Sequence, residues 1–145
     1  MSNIVIVASK FNFFITERLV CSAENTWKSY YKKHDNPKVF YVPGAVEIPL
    51  MSSWVIDAIK PDAVVCLGAV IQGDSAHFEY VCQQVSSGCQ QVSLAAKVPV
   101  IFGVLTVANV DQALQRTGGM VADNGKEAML TAIKMIENKA SLFKG

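Results

Sequence analysis

Ala63-Val64-Val65-Cys66-Leu67-Gly68-Ala69-Val70-Ile71-Gln72-Gly73-Asp74-Ser75-Ala76-His77-Phe78 carries three successive patterns in one short span. An unbroken apolar run from Ala63 to Leu67 reaches a glycine, as expected of a strand covered on both faces. A polar loop holding Gly73, Asp74 and Ser75 follows. From Phe78 the residues Val81, Cys82, Val85, Cys89 and Val92 recur on one face of a 3.6-residue period, which predicts an amphipathic helix. His77 stands at the start of that helix. Strand-loop-helix junctions are where open α/β sheets bind ligands.

The same alternation extends in both directions. Ile4-Val5-Ile6-Val7-Ala8 reads as a strand ended by Ser9-Lys10-Phe11-Asn12, and a helix pattern runs from Thr16 through Leu19, Val20, Ala23 and Trp27. Val39 to Val42 predicts a second strand. Pro43 and Pro49 bracket the segment after it, favouring extended backbone before each proline. Leu50 to Ile59 then carries a helical stripe, stopped by Lys60-Pro61-Asp62. Beyond the central stretch, Val98 to Thr106 predicts strand four. Asn109 and Gln112 have capping-box spacing for a short helix through Arg116. Gly118-Gly119 breaks that helix, Asn124-Gly125 signals a turn, and Ala128, Met129, Ala132, Ile133 and Ile136 mark a last helix.

Alternating strands and helices imply an α/β fold: a three-layer α/β/α sandwich around a four-stranded parallel sheet, one domain over residues 1–145. Right-handed crossovers bring every strand's carboxyl end to one edge. Four loops are expected there: 9–12, 43–49, 68–77 and 102–106.

The 145 residues carry a formal net charge of +1 and are 51% hydrophobic, which excludes a disordered chain and a basic nucleic-acid binder. No apolar run approaches the roughly 18 residues of a membrane span, and no leader pattern precedes the first strand, so a cytoplasmic protein is expected. The four cysteines form no C-x-x-C pair and read as free thiols, with neither disulfide nor metal site.

Each unusual loop residue has a chemical and a plain reading. His77 is either a proton-transfer group or a solvated helix-start residue. Asp74 and Ser75 either open an anion site on free helix N–H groups or simply cap the helix. Phe11 either covers a flat ring or packs in the core. Glu47 either accepts hydrogen bonds from ligand or backbone N–H groups or is a solvated charge. Arg116 either pairs with phosphate or sits as a cation at a helix C-terminus, and on sequence alone the second is favoured.

Ser9-Lys10-Phe11-Asn12, Pro43 to Pro49, Leu67 to Phe78, Pro99 to Thr106 and Gln112 to Arg116 together resemble the 6,7-dimethyl-8-ribityllumazine synthase family, in order along nearly the whole chain. The resemblance implies a flavodoxin-like fold and the penultimate step of riboflavin biosynthesis: condensation of a ribitylaminouracil with dihydroxybutanone phosphate, without metal or organic cofactor. By position, it implies that Phe11 stacks on the pyrimidine. Ala45, Val46 and Glu47 would line the ribityl and pyrimidine site, and Ala69, Val70 and Ile71 would bind ring edges through backbone groups. Asp74, Ser75 and Arg116 would bind phosphate, Phe102 would come from across a subunit boundary, and His77 would move protons. The implied partners are the two small substrates, further copies of the chain in a homopentamer with sites between subunits, and riboflavin synthase; neither nucleic acid nor membrane is implied. The sequence departs from the family at Val46, where an aromatic is usual, at Gln72, where a basic residue is frequent, and at Asn124, which stands where a lysine is usual. Two other classes fit the residues: a flavin- or lumazine-binding module without turnover, and a structural shell subunit.

Overall fold

The computed structural model describes residues 3–32, 34–73 and 76–144. Four strands, β1 (Ile4–Ser9), β2 (Lys38–Val42), β3 (Ala63–Ile71) and β4 (Val100–Val107), form one parallel sheet in the order β2-β1-β3-β4. Five helices connect and flank them: α1 (Phe13–Tyr30), α2 (Ile48–Ile59), α3 (Phe78–Ala96), α4 (Val110–Gln115) and α5 (Asn124–Leu142). The α/β sandwich expected from the alternation is the observed architecture. Among the described residues no helix is long and apolar enough to cross a membrane.

Strand alternation divides the core into two layers. Ile4, Ile6 and Ala8 point to α1 and α5, where they meet Leu19, Trp27, Met129 and Ile133. Val5 and Val7 point to α2 and α3, where they meet Ile48, Val55, Val85 and Cys89. All six residues of β1 are buried, which explains its unbroken apolar run. Close approach of α5 to α1 depends on Gly125: a Cβ there would fall on the Leu19 carbonyl oxygen, and 3.0 Å from the Leu19 carbonyl carbon.

Several boundaries differ from expectation, each for a physical reason. Strand β3 does not stop at Gly68 but continues to Ile71, because β4 pairs with it through Ile71–Val107. Residues 102–106 are likewise strand rather than edge loop, and β4 begins at Val100 instead of Val98. The backbone is extended before Pro43 and at Gly44, but not before Pro49. Ala45–Glu47 form a 3-10 turn running into α2, with Pro49 at its start, where a missing N–H is harmless. Helix α1 begins at Phe13, ahead of the Thr16 expected from the apolar stripe. Asn124-Gly125 lies inside α5, because Asp123 is the cap: its Oδ1 accepts from the Lys126 N–H at 3.2 Å and its carboxylate from Ser22 Oγ at 2.6 Å. The capping spacing at Asn109 is realised, with Oδ1 accepting from the Gln112 N–H at 2.9 Å. Gln112 Oε1 reaches past the cap to the Ala108 N–H, at 2.8 Å.

Candidate active site

After β1 the chain passes through α1 to β2 on one side; β3 lies on the other. The order therefore reverses between β1 and β3, and a crevice opens at their carboxyl ends, the preferred ligand position of open parallel sheets. Three of the four predicted loops meet there.

Phe11 follows β1. The Lys10 and Phe11 N–H groups donate to the carbonyls of Val42 and Pro43, at 2.8 and 2.9 Å, so the loop leans toward β2. The Phe11 ring is 72% exposed, which excludes the core-packing reading and leaves a bare aromatic face beside the crevice. Ala45 is buried and Val46 packs partly on the α2–α3 core layer. Glu47 is exposed, and its Oε1 accepts the Gly44 N–H at 2.9 Å. The 3-10 turn is thus held by the carboxylate that the sequence singles out, and the second carboxylate oxygen is outside that bond.

At the end of β3, side chains of Val70 and Ile71 pack to opposite faces, so the backbone is what the edge offers. Val64 and Gln72 donate toward β4, at 2.8 and 2.9 Å, while the Ala69 carbonyl accepts from the β1 side. By alternation the polar groups of Ala69 and Ile71 face the crevice and those of Val70 face β4. The acceptor contact at Ala69 comes from Asn12 Nδ2, at 2.9 Å. Asn12 was not among the residues singled out. Its signal is an asparagine three residues past the end of β1 and just before α1, a residue type that tolerates the left-handed backbone it adopts here, with φ 60° and ψ 40°.

His77 immediately precedes α3 on the same edge; it is exposed, and its carbonyl accepts the Val81 N–H at 3.0 Å. Asp74 and Ser75 lie outside the described residues, and with them the anion site expected there.

Phe102 stands apart from this group within one chain. Phe102 pairs with Cys66, three positions short of the Ala69–Leu105 pair, about 10 Å down the strand at roughly 3.3 Å per residue. Its ring is 40% exposed in a groove of about 430 Å³ between β4 and α3, shared with Phe78, Cys82 and Thr106. Arg116 ends α4, which packs on β3 and β4, and the next residue, Thr117, accepts from Arg18 Nε of α1 at 2.9 Å. Arg116 Nη1 donates to the Gln112 carbonyl at 2.9 Å, the helix-C-terminal placement of a cation. Its own carbonyl accepts the Asn124 N–H at 2.8 Å, so the start of α5 braces it.

The thiols are free: Cys66 and Cys89 buried, Cys82 partly buried and Cys21 exposed. Cys66 Sγ lies 3.4 Å from Ser52 Oγ. Hydrogen bonding with Cys89 and burial hold the Cys66 thiol well above its ordinary pKa. Among the described residues no cluster of histidines, cysteines and carboxylates has metal-site geometry.

The family model described as 6,7-dimethyl-8-ribityllumazine synthase matches residues 1–140 of the 145-residue chain. The chain belongs to the 6,7-dimethyl-8-ribityllumazine synthase family. The family is one of lumazine synthases, transferases of riboflavin biosynthesis. The family match covers all of the strands and loops that build the β1–β3 crevice.

Proposed function

We propose that the chain condenses 5-amino-6-(D-ribitylamino)uracil with 3,4-dihydroxy-2-butanone 4-phosphate to 6,7-dimethyl-8-ribityllumazine, releasing phosphate and two waters. The observation that carries this reading is the β1–β3 crevice. An exposed aromatic face at Phe11, the backbone edge of Ala69 and Ile71 and the Glu47 carboxylate would line it. A pyrimidine presents a flat face and a polar edge, and these are the two surfaces offered. The ribityl hydroxyls would find an acceptor in Glu47 beside Ala45 and Val46.

The chemistry asks for little beyond orientation and proton transfer. The uracil amine adds to the ketone and water leaves, giving an imine; phosphate is then eliminated, and ring closure expels the second water. In this reading His77 passes protons between amine, hydroxyl and leaving groups. Holding two reactants in register supplies much of the rate. Arg116, with backbone groups of Asp74 and Ser75, would bind the phosphate, and riboflavin synthase would take the product.

The separation of Phe102 from the end of the β1–β3 pair supports sites built between subunits of a homo-oligomer, a pentamer in this reading. Unpaired apolar side chains on α2 and α3 (Leu50, Trp54, Tyr80 and Leu94, each more than half exposed) are consistent with such contacts.

The test mixes the purified chain with both substrates and follows lumazine absorbance and fluorescence against the spontaneous background. Formation well above background is expected. Tight binding of the lumazine with no acceleration would replace this reading with that of a binding module.

A further inference from the structure

From the contacts at the base of the crevice, we infer that Asn12 is a positioning residue, whose side-chain amide spans β1 and β3 and sets the gap between the Phe11 ring and the ring-edge backbone of Ala69–Ile71. The inference rests on the function proposed above.

Three observations carry it. The regular β1–β3 ladder ends at Ala8–Leu67, because Phe11 turns its N–H group to the Pro43 carbonyl on the β2 side. Continuation of the ladder would bring a β1 N–H to the Ala69 carbonyl, and Asn12 Nδ2 replaces it there at 2.9 Å. The two strands thus stay tied across the point where their loops diverge.

Asn12 also occupies the N-cap of α1, a position where asparagine ordinarily accepts a hydrogen bond from the first turn. Here the side chain makes no cap bond. Only its backbone carbonyl serves the helix, accepting the Ile15 and Thr16 N–H groups at 3.0 and 3.2 Å. The amide is diverted from a local role to a contact between residues 57 apart in sequence.

Directly below, the strands are wedged in a second way. Ser9 is fully buried, and its side chain occupies the place where a Cβ on Gly68 would stand. Among the described residues the Ser9 hydroxyl has no hydrogen-bond partner. A buried polar atom left unsatisfied is uncommon and concentrates where a fold is shaped for something other than stability. Ser9 against Gly68 fixes the floor of the crevice, and Asn12 on Ala69 fixes its width one residue higher. A flat ring that stacks on Phe11 while its edge meets Ala69 and Ile71 needs both surfaces at one spacing. An error of about 1 Å in such a placement can cost roughly 100-fold in rate.

The test uses the full-length chain in its native assembly with Asn12→Asp and Asn12→Gly. Aspartate keeps the shape and tolerates the left-handed backbone but has no donor; glycine keeps the backbone freedom and removes the side chain. The probes are 6,7-dimethyl-8-ribityllumazine, titrated by its fluorescence, and steady-state kinetics with both substrates. In both variants lumazine affinity and kcat are expected to fall about tenfold, the scale of one lost hydrogen bond and a loosened register. KM for the phosphate-bearing substrate should stay within about twofold, since phosphate binding does not depend on the gap. A purely structural asparagine would lower Tm and leave lumazine affinity unchanged, and that result overturns the inference. Equal loss of affinity for both substrates overturns it as well. A wild-type chain that neither binds lumazine nor forms it overturns the proposed function together with this role, whereas normal wild-type behaviour with unaffected variants removes only Asn12.

Discussion

Gly125→Ala tests the packing that holds the Arg116 side of the molecule. The new Cβ would overlap the Leu19 carbonyl oxygen and lie 3.0 and 3.1 Å from the Leu19 carbonyl carbon and Cα. These are backbone atoms of a helix whose Leu19 side chain is fully buried, so no side chain can swing aside. Helix α5 must instead retreat from α1, loosening Ala128, Met129 and Ala132 against the sheet. Overpacking of this kind costs about 1–3 kcal/mol. Because the clash is wholly with backbone the upper part of that range, about 2–3 kcal/mol, applies; alanine regains up to ~1 kcal/mol over glycine in a helix, leaving a net loss of roughly 1–2 kcal/mol. For a chain of this length each kcal/mol moves Tm by about 2–4 °C, so a fall of roughly 2–8 °C is expected. The Asn124 N–H that braces the Arg116 carbonyl would move with the helix, so KM for the phosphate-bearing substrate should rise as well. The assay is thermal unfolding by circular dichroism at matched chain concentration, with initial rates on the same samples. An unchanged or raised Tm would refute the reasoning, because the helix would then have accommodated the Cβ without retreating.

His77→Ala is expected to slow turnover by about 10-fold to ~10³-fold while substrate affinities hold, since positioning survives the loss of proton transfer; an unchanged kcat would remove it from the mechanism. Arg116→Ala should chiefly raise KM for the dihydroxybutanone phosphate, and equal affinity for that substrate would leave the arginine a helix-terminal cation only. In the native chain an aromatic disulfide reagent should label Cys21 first and Cys82 slowly, because burial raises the Cys82 thiol, with Cys66 and Cys89 reacting only in denaturant; early labelling of Cys66 would contradict its burial. Burial, then Glu24 and Glu17, raise the Tyr41 phenol above its ordinary value, so its neutral form is favoured in the folded state. Tyr41 therefore contributes stability that is fully present below the unfolded pKa near 10 and lost as pH rises through the higher folded pKa. Tyr41→Phe should lessen the alkaline decline in Tm; an identical decline would show that the phenol has no part in it.

The apolar runs at Ile4–Ala8 and Ala63–Leu67 and the stripe from Phe78 to Val92 determined the sheet, its parallel strands and the helices by themselves, because burial on two faces or one imposes a period readable in any chain. Resemblance over five collinear motifs likewise identified the family. What periodicity could not supply were the places where pairing or capping overrode composition. Gly68 reads as a strand end, yet β4 carries β3 on to Ile71. The backbone before Pro49 reads as extended, yet the Glu47 carboxylate folds it into a turn. Arg116 reads as a phosphate ligand or a helix-end cation, and within one chain its guanidinium takes the Gln112 carbonyl. Only the tertiary structure decided that β1 and β3 part at the switch of strand order, that Ser9 fits the notch at Gly68, and that Asn12 bridges to Ala69. A local pattern records which face of an element is buried. It holds no trace of a hydrogen bond between residues 57 positions apart, which exists only once the sheet has brought the two strand ends together.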